Sequence, residues 1–114
     1  MDRVQTKSLG CAEIVETNLP ALQALCRRFG VRRLDLFGSA ATGRFDPALS
    51  DLDFLVDFEK PPSGGFSSDY FKLLHELEVL FQRKVDLLKE SALVNPYLRR
   101  QIESEKRRLY PPND

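Results

Sequence analysis

Residues 37–58 read FGSAATGRFDPALSDLDFLVDF, and this stretch decides the fold. The residues VRRLDLFG at 31–38 alternate around two leucines and predict a strand that runs into a glycine–serine turn. The residues DLDFLVDF at 51–58 predict a second strand, almost continuously apolar after Asp53, as expected where both faces of a strand are covered. Core strands seldom carry unpaired carboxylates, so Asp51 and Asp53 need an explanation.

Helices are predicted on both sides of these strands. Residues 18–30, NLPALQALCRRFG, begin with asparagine and proline start signals and carry an apolar stripe at helical spacing. Cys26 lies on that stripe and is predicted to be a core residue rather than a reactive thiol. After a loop rich in proline and glycine, residues 67–82 predict a further helix, which Ser67 or Ser68 can cap.

The last third of the chain predicts one more strand and one more helix. Residues 83–90, RKVDLLKE, predict a short strand with one aspartate, Asp86, and residues 95–110, NPYLRRQIESEKRRLY, predict a helix. The side chains expected to face inward from this helix are Tyr97, Leu98 and Ile102. Three strands that alternate with helices predict a small α/β domain, with a mixed β-sheet of three to four strands flanked by helices.

Length and charge limit the classes of function. The 114 residues suffice for one domain, predicted at 18–110, with residues 1–17 as a leader (flexible or a short helix) and 111–114 as a tail. The formal net charge is zero, so no global field attracts nucleic acid or a membrane. No apolar stretch approaches the ~20 residues of a membrane span, residues 1–10 do not resemble a signal peptide, and two cysteines make no disulfide framework. A cytoplasmic protein is expected.

The aspartates form a candidate metal site. Asp51 and Asp53 are two residues apart on a strand, so they project to the same face. Two ionised carboxylates about 4 Å apart repel by on the order of 4 kcal/mol at an effective dielectric near 20. Solvent at the edge of the strand can offset this repulsion, and a divalent cation bound by oxygen ligands offsets it better. With Asp86 from a neighbouring strand, three acids can hold two metal ions for in-line displacement at phosphorus.

The turn before the acids has complementary chemistry. Gly38 lets the backbone approach a ligand closely, and Ser39 offers a hydroxyl and an amide to phosphate oxygens. A glycine–serine pair alone is weak evidence. The combination of strand, glycine–serine turn, two aspartates on the next strand and one on a third is much more specific.

FGSAATGRFDPALSDLDFLVDF together with RKVDLL resembles the polymerase-β-like nucleotidyltransferase superfamily, and within it the minimal nucleotidyltransferases (MNT). The resemblance implies that Gly38 and Ser39 hold phosphate and that Asp51, Asp53 and Asp86 bind metal, expected to be two Mg²⁺ ions. It also implies that Asp86 can take the proton from the attacking hydroxyl.

The activity implied by the resemblance is transfer of a nucleoside monophosphate, AMP from ATP, to a hydroxyl. MNT proteins that pair with a HEPN-domain toxin act as antitoxins and can AMPylate a tyrosine on it, so a hetero-oligomer is expected. The alternative is a non-catalytic antitoxin that neutralises a HEPN partner by binding alone. Modification of a small molecule is a weaker alternative, because that usually needs a second domain.

Two departures from the family pattern affect the turn. The family often has arginine where this chain has Thr42, and the gap between the glycine–serine pair and the aspartates is one residue longer than usual. Arg44 can supply the missing charge to a nucleotide, and the alternative is a solvated surface arginine. Of the remaining polar residues, His75, Asp57 and Asp35 are expected to be exposed and uninvolved. The basic residues near the end of the chain are expected to form a solvated helix face, or alternatively a contact for triphosphate or an acidic partner. The interleaved glutamates and the lack of an aromatic platform argue against nucleic-acid binding.

Overall fold

The computed structural model describes residues 12–46, 48, 50–59 and 68–112. Within these residues the helices are α1 (Glu13–Thr17), α2 (Leu19–Arg28), α3 (Ser39–Thr42), α4 (Ser68–Phe81), a 3-10 helix (Glu90–Ala92) and α5 (Pro96–Glu105). The strands are β1 (Val31–Phe37), β2 (Leu52–Phe58), β3 (Val85–Lys89) and β4 (Arg107–Tyr110). No helix in these ranges is long and apolar enough to cross a membrane.

The four strands form one mixed sheet in the order β3-β2-β1-β4. β1 runs antiparallel to both β2 and β4, whereas β2 and β3 are parallel. A parallel pair needs a crossover connection, and α4 lies in the connection between β2 and β3. The prediction of a small mixed sheet flanked by helices is therefore confirmed.

One face of the sheet carries the larger part of the core. Alternate residues of β2 point to this face, and helices α2 and α4 pack against it through apolar side chains that include Cys26 and Phe81. The rings of Phe54 and Phe81 stack with their centroids 5.9 Å apart. Cys26 is fully buried, which confirms that it is a core residue, and this burial raises the pKa of its thiol to about 12.

The opposite face carries a smaller apolar cluster beneath α5. Its buried members are Leu55, Leu93 and Ile102, and Phe37 and Leu88 pack against them. Asp53 lies between two residues of the larger core, Leu52 and Phe54, so strand alternation places it on this second face. The candidate site is thus on the face that α5 only partly covers.

The end of the chain differs from the prediction of one helix over residues 95–110. Helix α5 begins as predicted, with Asn95 Oδ1 accepting the N–H groups of Tyr97 and Leu98, but it ends at Glu105. Residues 107–110 form β4 instead, because pairing with β1 buries Leu109.

The predicted inner face of α5 was also wrong in part. Tyr97 is 76% exposed and Leu98 is 42% exposed, whereas Ile102 is buried as predicted. Leu93, which precedes the helix, occupies the smaller cluster together with Ile102. The helix therefore meets the sheet mainly through its second half and the residues that precede it.

The beginning of the domain includes part of the predicted leader. Residues 13–17 form α1 with Val15 fully buried, and the Ala12 N–H donates to the Ala40 carbonyl over 2.9 Å. Asn18 lies at the start of α2 as predicted, but its side-chain amide donates to the Ile14 carbonyl rather than capping the helix. Residues 1–11, and the side chains of Ser67 and Ser68 expected to cap α4, lie outside the described residues.

Candidate active site

Asp53 and Asp86 lie opposite each other on neighbouring strands. In the parallel pairing of β2 with β3, Asp53 is the register partner of Asp86, so both side chains leave the same face at the same level. Asp51 precedes β2 and is exposed, as is Asp86, whereas Asp53 is half-buried. The structure thus brings together the two predicted acids that are 33 residues apart in the sequence.

The raised pKa of Asp53 reflects its burial and the proximity of other carboxylates. Burial, followed by the charges of Asp86, Asp51 and Glu105, raises the pKa of the Asp53 carboxyl to about 6. Each of these effects disfavours the ionised form. This face of the sheet therefore accumulates negative charge that a bound cation would neutralise.

Gly38 brings the turn into direct contact with Asp53. It has φ 76° and ψ −154°, a backbone conformation that favours glycine. A Cβ at this position would collide with Asp53 Oδ2 and lie 3.2 Å from Asp53 Cγ. The preceding residue, Phe37, pairs with Asp53 across β1 and β2. Glycine is therefore required here both by the backbone and by the neighbouring acid.

The turn is stabilised by its own hydrogen bonds. The Gly38 carbonyl accepts both the Ala41 N–H at 3.0 Å and the Thr42 hydroxyl at 3.1 Å. The Arg44 N–H donates to the Ser39 carbonyl at 3.1 Å, beyond the left-handed Gly43 that ends α3. Thr42 thus stabilises the turn through its hydroxyl. Arg44 is exposed one residue beyond Gly43, so its side chain is open to solvent.

Glu105 is a member of the site that the sequence did not indicate. Its Oε1 accepts the Gly38 N–H over 2.8 Å, although the two residues are 67 positions apart. Its charge also contributes to the raised pKa of Asp53. In the sequence, Glu105 is one of several glutamates in a basic helix, and no local pattern distinguishes it from Glu103.

Asp35 was expected to be exposed, and this was wrong. It is 2% exposed on the same face of the sheet, with Oδ2 3.5 Å from Arg33 Nε and 4.0 Å from Lys106 Nζ. Burial raises the pKa of its carboxyl, whereas the charges of Lys106, Arg33 and Arg108 oppose that rise. Lys106 and strand β4, whose Arg108 is the register partner of Asp35, lie against this residue, which explains why a strand-centred aspartate can be buried.

The other polar candidates lie away from the acids, as expected. Asp57 is half-buried on β2 and forms an ion pair with Arg32 at 3.4 Å. His75 is exposed and lines a groove of about 280 Å³ between α2 and α4. A second groove of about 390 Å³ lies between α1 and the side chains of Phe45 and Arg83. Neither groove is lined by the acids.

These residues suit a divalent cation that takes only some of its ligands from the protein. Within residues 12–46, 50–59 and 68–112, no group of three or more His, Cys, Asp or Glu side chains is gathered closely enough to hold a metal ion alone. Mg²⁺ commonly binds through one or two carboxylates, with water and substrate phosphates as the other ligands. The facing pair Asp53 and Asp86, with its excess of negative charge, suits that mode of binding.

The chain is similar to known nucleotidyltransferases in sequence and in fold. The family model for the nucleotidyltransferase domain matches residues 21–109. Protein adenylyltransferase MntA of Thermococcus cleftensis is 40% identical over 82 residues, which make up 71% of this chain and 79% of that protein. The solved structure of a minimal nucleotidyltransferase is 33% identical, with a TM-score of 0.67 over 90% of this chain and 97% of that chain.

A more distant structural match comes from a toxin–antitoxin complex. One chain of the complex between the tri-AMPylated HEPN toxin of Shewanella oneidensis and its MNT antitoxin has a TM-score of 0.59 at 18% identity. The match covers 85% of this chain and 72% of that chain, and it shows a shared fold.

The candidate site thus combines a glycine–serine turn after β1 with facing aspartates on β2 and β3 of a mixed sheet. The chain belongs to the nucleotidyltransferase domain family, and its similarity to an MNT structure and to MntA confirms the resemblance found in the sequence. The protein is therefore an enzyme of the nucleotidyltransferase class.

Proposed function

We propose that this enzyme transfers AMP from ATP to a hydroxyl group, with Asp51, Asp53 and Asp86 as ligands of Mg²⁺, two ions in the complete site. The observation that carries the proposal is the in-register pair Asp53 and Asp86 directly beside the Gly38 turn. Carboxylates that repel one another next to a turn suited to phosphate are the chemistry that a metal–triphosphate substrate requires.

Each residue of the site has a proposed role in the transfer. Gly38 and Ser39 form the surface on which the phosphates lie, and Arg44 adds positive charge at the exposed end of the turn. Asp86 is the candidate base: it takes the proton from the acceptor hydroxyl as that oxygen bonds to the α-phosphorus. The bond between the α- and β-phosphates breaks, and pyrophosphate leaves. The metal ions supply neutralisation of the triphosphate and activation of the hydroxyl.

The acceptor is proposed to be a tyrosine of a HEPN-domain toxin, so that this protein acts as the cytoplasmic antitoxin of such a pair. Similarity to a protein adenylyltransferase supports a protein acceptor. Asp51 and Asp86 are exposed to solvent, so an acceptor supplied by a partner suits this structure. A hetero-oligomer with the toxin follows from this arrangement.

The test combines the protein with a HEPN toxin encoded beside it, ATP and Mg²⁺, and measures the intact mass of the toxin. We expect a gain of one or more AMP units, and no gain with Asp53→Asn or Asp86→Asn. Asp57→Asn is the matched control, because Asp57 lies on the same strand but pairs with Arg32. Absence of any nucleotide-sized mass gain with several nucleotides would contradict the transferase proposal.

Neutralisation by binding alone is the second candidate, and Thr42 in place of the usual arginine is the observation that favours it. The double variant Asp51→Asn with Asp53→Asn separates the two. If toxin neutralisation survives while the complex forms, binding alone suffices. If neutralisation is lost although the complex still forms, catalysis is required.

A further inference from the structure

Glu105 connects the end of α5 to the turn that precedes the acids. Its half-buried carboxylate accepts the Gly38 N–H through Oε1 at 2.8 Å, and Gln101 Nε2 lies 3.5 Å from its other oxygen. A hydrogen bond from a backbone N–H to a carboxylate is stronger than one to a neutral oxygen. The proposed transfer mechanism assigns no role to Glu105, although Glu105 contacts Gly38 directly.

The position is otherwise unfavourable for a carboxylate. Glu105 is the last residue of α5, where the helix dipole disfavours negative charge. It also lies close enough to Asp53 for the two charges to repel each other. The Gly38 hydrogen bond is the contact that offsets these costs, so the carboxylate is placed there by its interaction with the turn.

The fold holds Glu105 at this position through the residue that follows it. The Lys106 N–H donates to the Ile102 carbonyl at 2.8 Å, and Ile102 is buried in the smaller cluster. Lys106 Nζ also lies 4.0 Å from Oδ2 of the buried Asp35 on β1. The backbone on both sides of Glu105 is thereby tied to the sheet, and its contact with Gly38 belongs to the packed structure.

We infer that Glu105 is a positioning residue for the nucleotide: it orients the peptide N–H of Gly38, which keeps the turn against Asp53 and presents Ser39 to phosphate. This inference rests on the proposed function. It also assigns different roles to the residues of the turn. The Gly38 N–H is already bound to Glu105, so Gly38 serves the nucleotide through its missing Cβ and its backbone conformation, while phosphate is bound by the residues that follow.

The first test measures binding of a non-hydrolysable ATP analogue with Mg²⁺ by calorimetry. We expect Glu105→Ala to weaken binding about tenfold, the factor that corresponds to loss of about one well-formed hydrogen bond. Glu105→Gln retains an acceptor oxygen but forms a weaker, uncharged hydrogen bond, so we expect a smaller loss, of about threefold. Glu103→Ala is the control, since Glu103 is an exposed acid on the same helix that pairs with Lys106 and does not contact the turn.

Two results of this test would overturn the inference. Equal or tighter binding by Glu105→Ala would mean that the Gly38 N–H is available to phosphate and that Glu105 competes with the nucleotide. A loss in Glu105→Gln as large as that in Glu105→Ala would mean that the charge matters and the hydrogen-bond acceptor does not.

The second test needs neither binding nor activity. Hydrogen exchange of the Gly38 amide, followed by NMR in the nucleotide-free protein, should be at least about tenfold faster in Glu105→Ala and unchanged in Glu103→Ala. Unchanged exchange in Glu105→Ala would refute the contact itself. If the unchanged protein binds no nucleotide at all, the proposed function fails, whereas the exchange rates still decide whether Glu105 positions the turn.

Discussion

Replacing Asp53 with asparagine should make the metal-free protein more stable while it abolishes transfer. Burial and the neighbouring carboxylates raise the pKa of Asp53 from 3.8 to about 6 in the folded chain. A raised acid pKa means that the folded state binds the proton more tightly than the unfolded state does. The free energy of unfolding therefore falls as the pH rises from about 4 through about 6, and it remains low above that range.

The magnitude follows from the shift. A change of one pKa unit corresponds to about 1.36 kcal/mol, so a rise from 3.8 to about 6 sets an upper limit of about 3 kcal/mol. Asp53 is only half-buried, and solvent screens part of this repulsion. We therefore expect Asp53→Asn to be more stable than the unchanged protein by about 1–2 kcal/mol at pH 8, and by close to zero at pH 4.

Urea unfolding in the presence of EDTA, at pH 4 and at pH 8, measures this difference. Asp57→Asn is the control on the same strand, and loss of its partly exposed ion pair with Arg32 should cost about 0–1 kcal/mol. Added Mg²⁺ should stabilise the unchanged protein and reduce the advantage of Asp53→Asn. The reasoning is wrong if Asp53→Asn is the less stable protein at pH 8 without metal, or if the difference is the same at both pH values.

Three further predictions concern the turn and the core. Gly38→Ala should abolish transfer and destabilise the fold by about 2–4 kcal/mol. Gly43→Ala, at a residue with φ 82° but open space around its Cβ, should cost about 1–2 kcal/mol and keep activity. Denaturant unfolding measures the stability of both variants, and the mass assay measures their activity. Ile102→Ala should lower the free energy of unfolding by about 2–4 kcal/mol, because it leaves a cavity in the smaller cluster. A loss below about 1 kcal/mol would contradict that packing. Cys26, with the other cysteine changed to serine, should react with a thiol reagent at pH 8 on the order of a thousandfold more slowly than a free thiol, and rapid labelling of the folded protein would refute its burial.

The sequence was sufficient for the parts of the fold that local periodicity determines. The strand–turn–strand unit of residues 31–58 follows from alternation and turn chemistry. Its second strand is buried at Phe54, Leu55 and Val56, as the apolar run after Asp53 predicts. Asp53 and Asp86 could be expected to lie opposite each other, because acids near the starts of neighbouring strands share one edge of a sheet. These features depend on residues close in the chain or on general sheet geometry.

The contacts that the sequence missed depend on residues far apart in the chain. Helical periodicity continues past Glu105, so only the pairing of residues 107–110 with β1 shows that the helix stops there. That change of structure buries Asp35 beneath Lys106 and places Glu105 on Gly38. An aspartate between two leucines gives no sign of which side of its strand a later helix will cover.

Strand β4 also governs how the chain can be shortened. The last residues of the domain pair along β1, and Gln23 Nε2 donates to the Leu109 carbonyl over 3.0 Å, so the final strand is bound to the sheet and to α2. A protein cut after residue 105 would keep every proposed catalytic aspartate. It would nevertheless expose the backbone edge of β1 and the apolar surface that Leu109 covers, which are the features that lead sheets to join edge to edge. Such a protein should aggregate before it can be assayed, so fusions are safer beyond β4 than truncations within it.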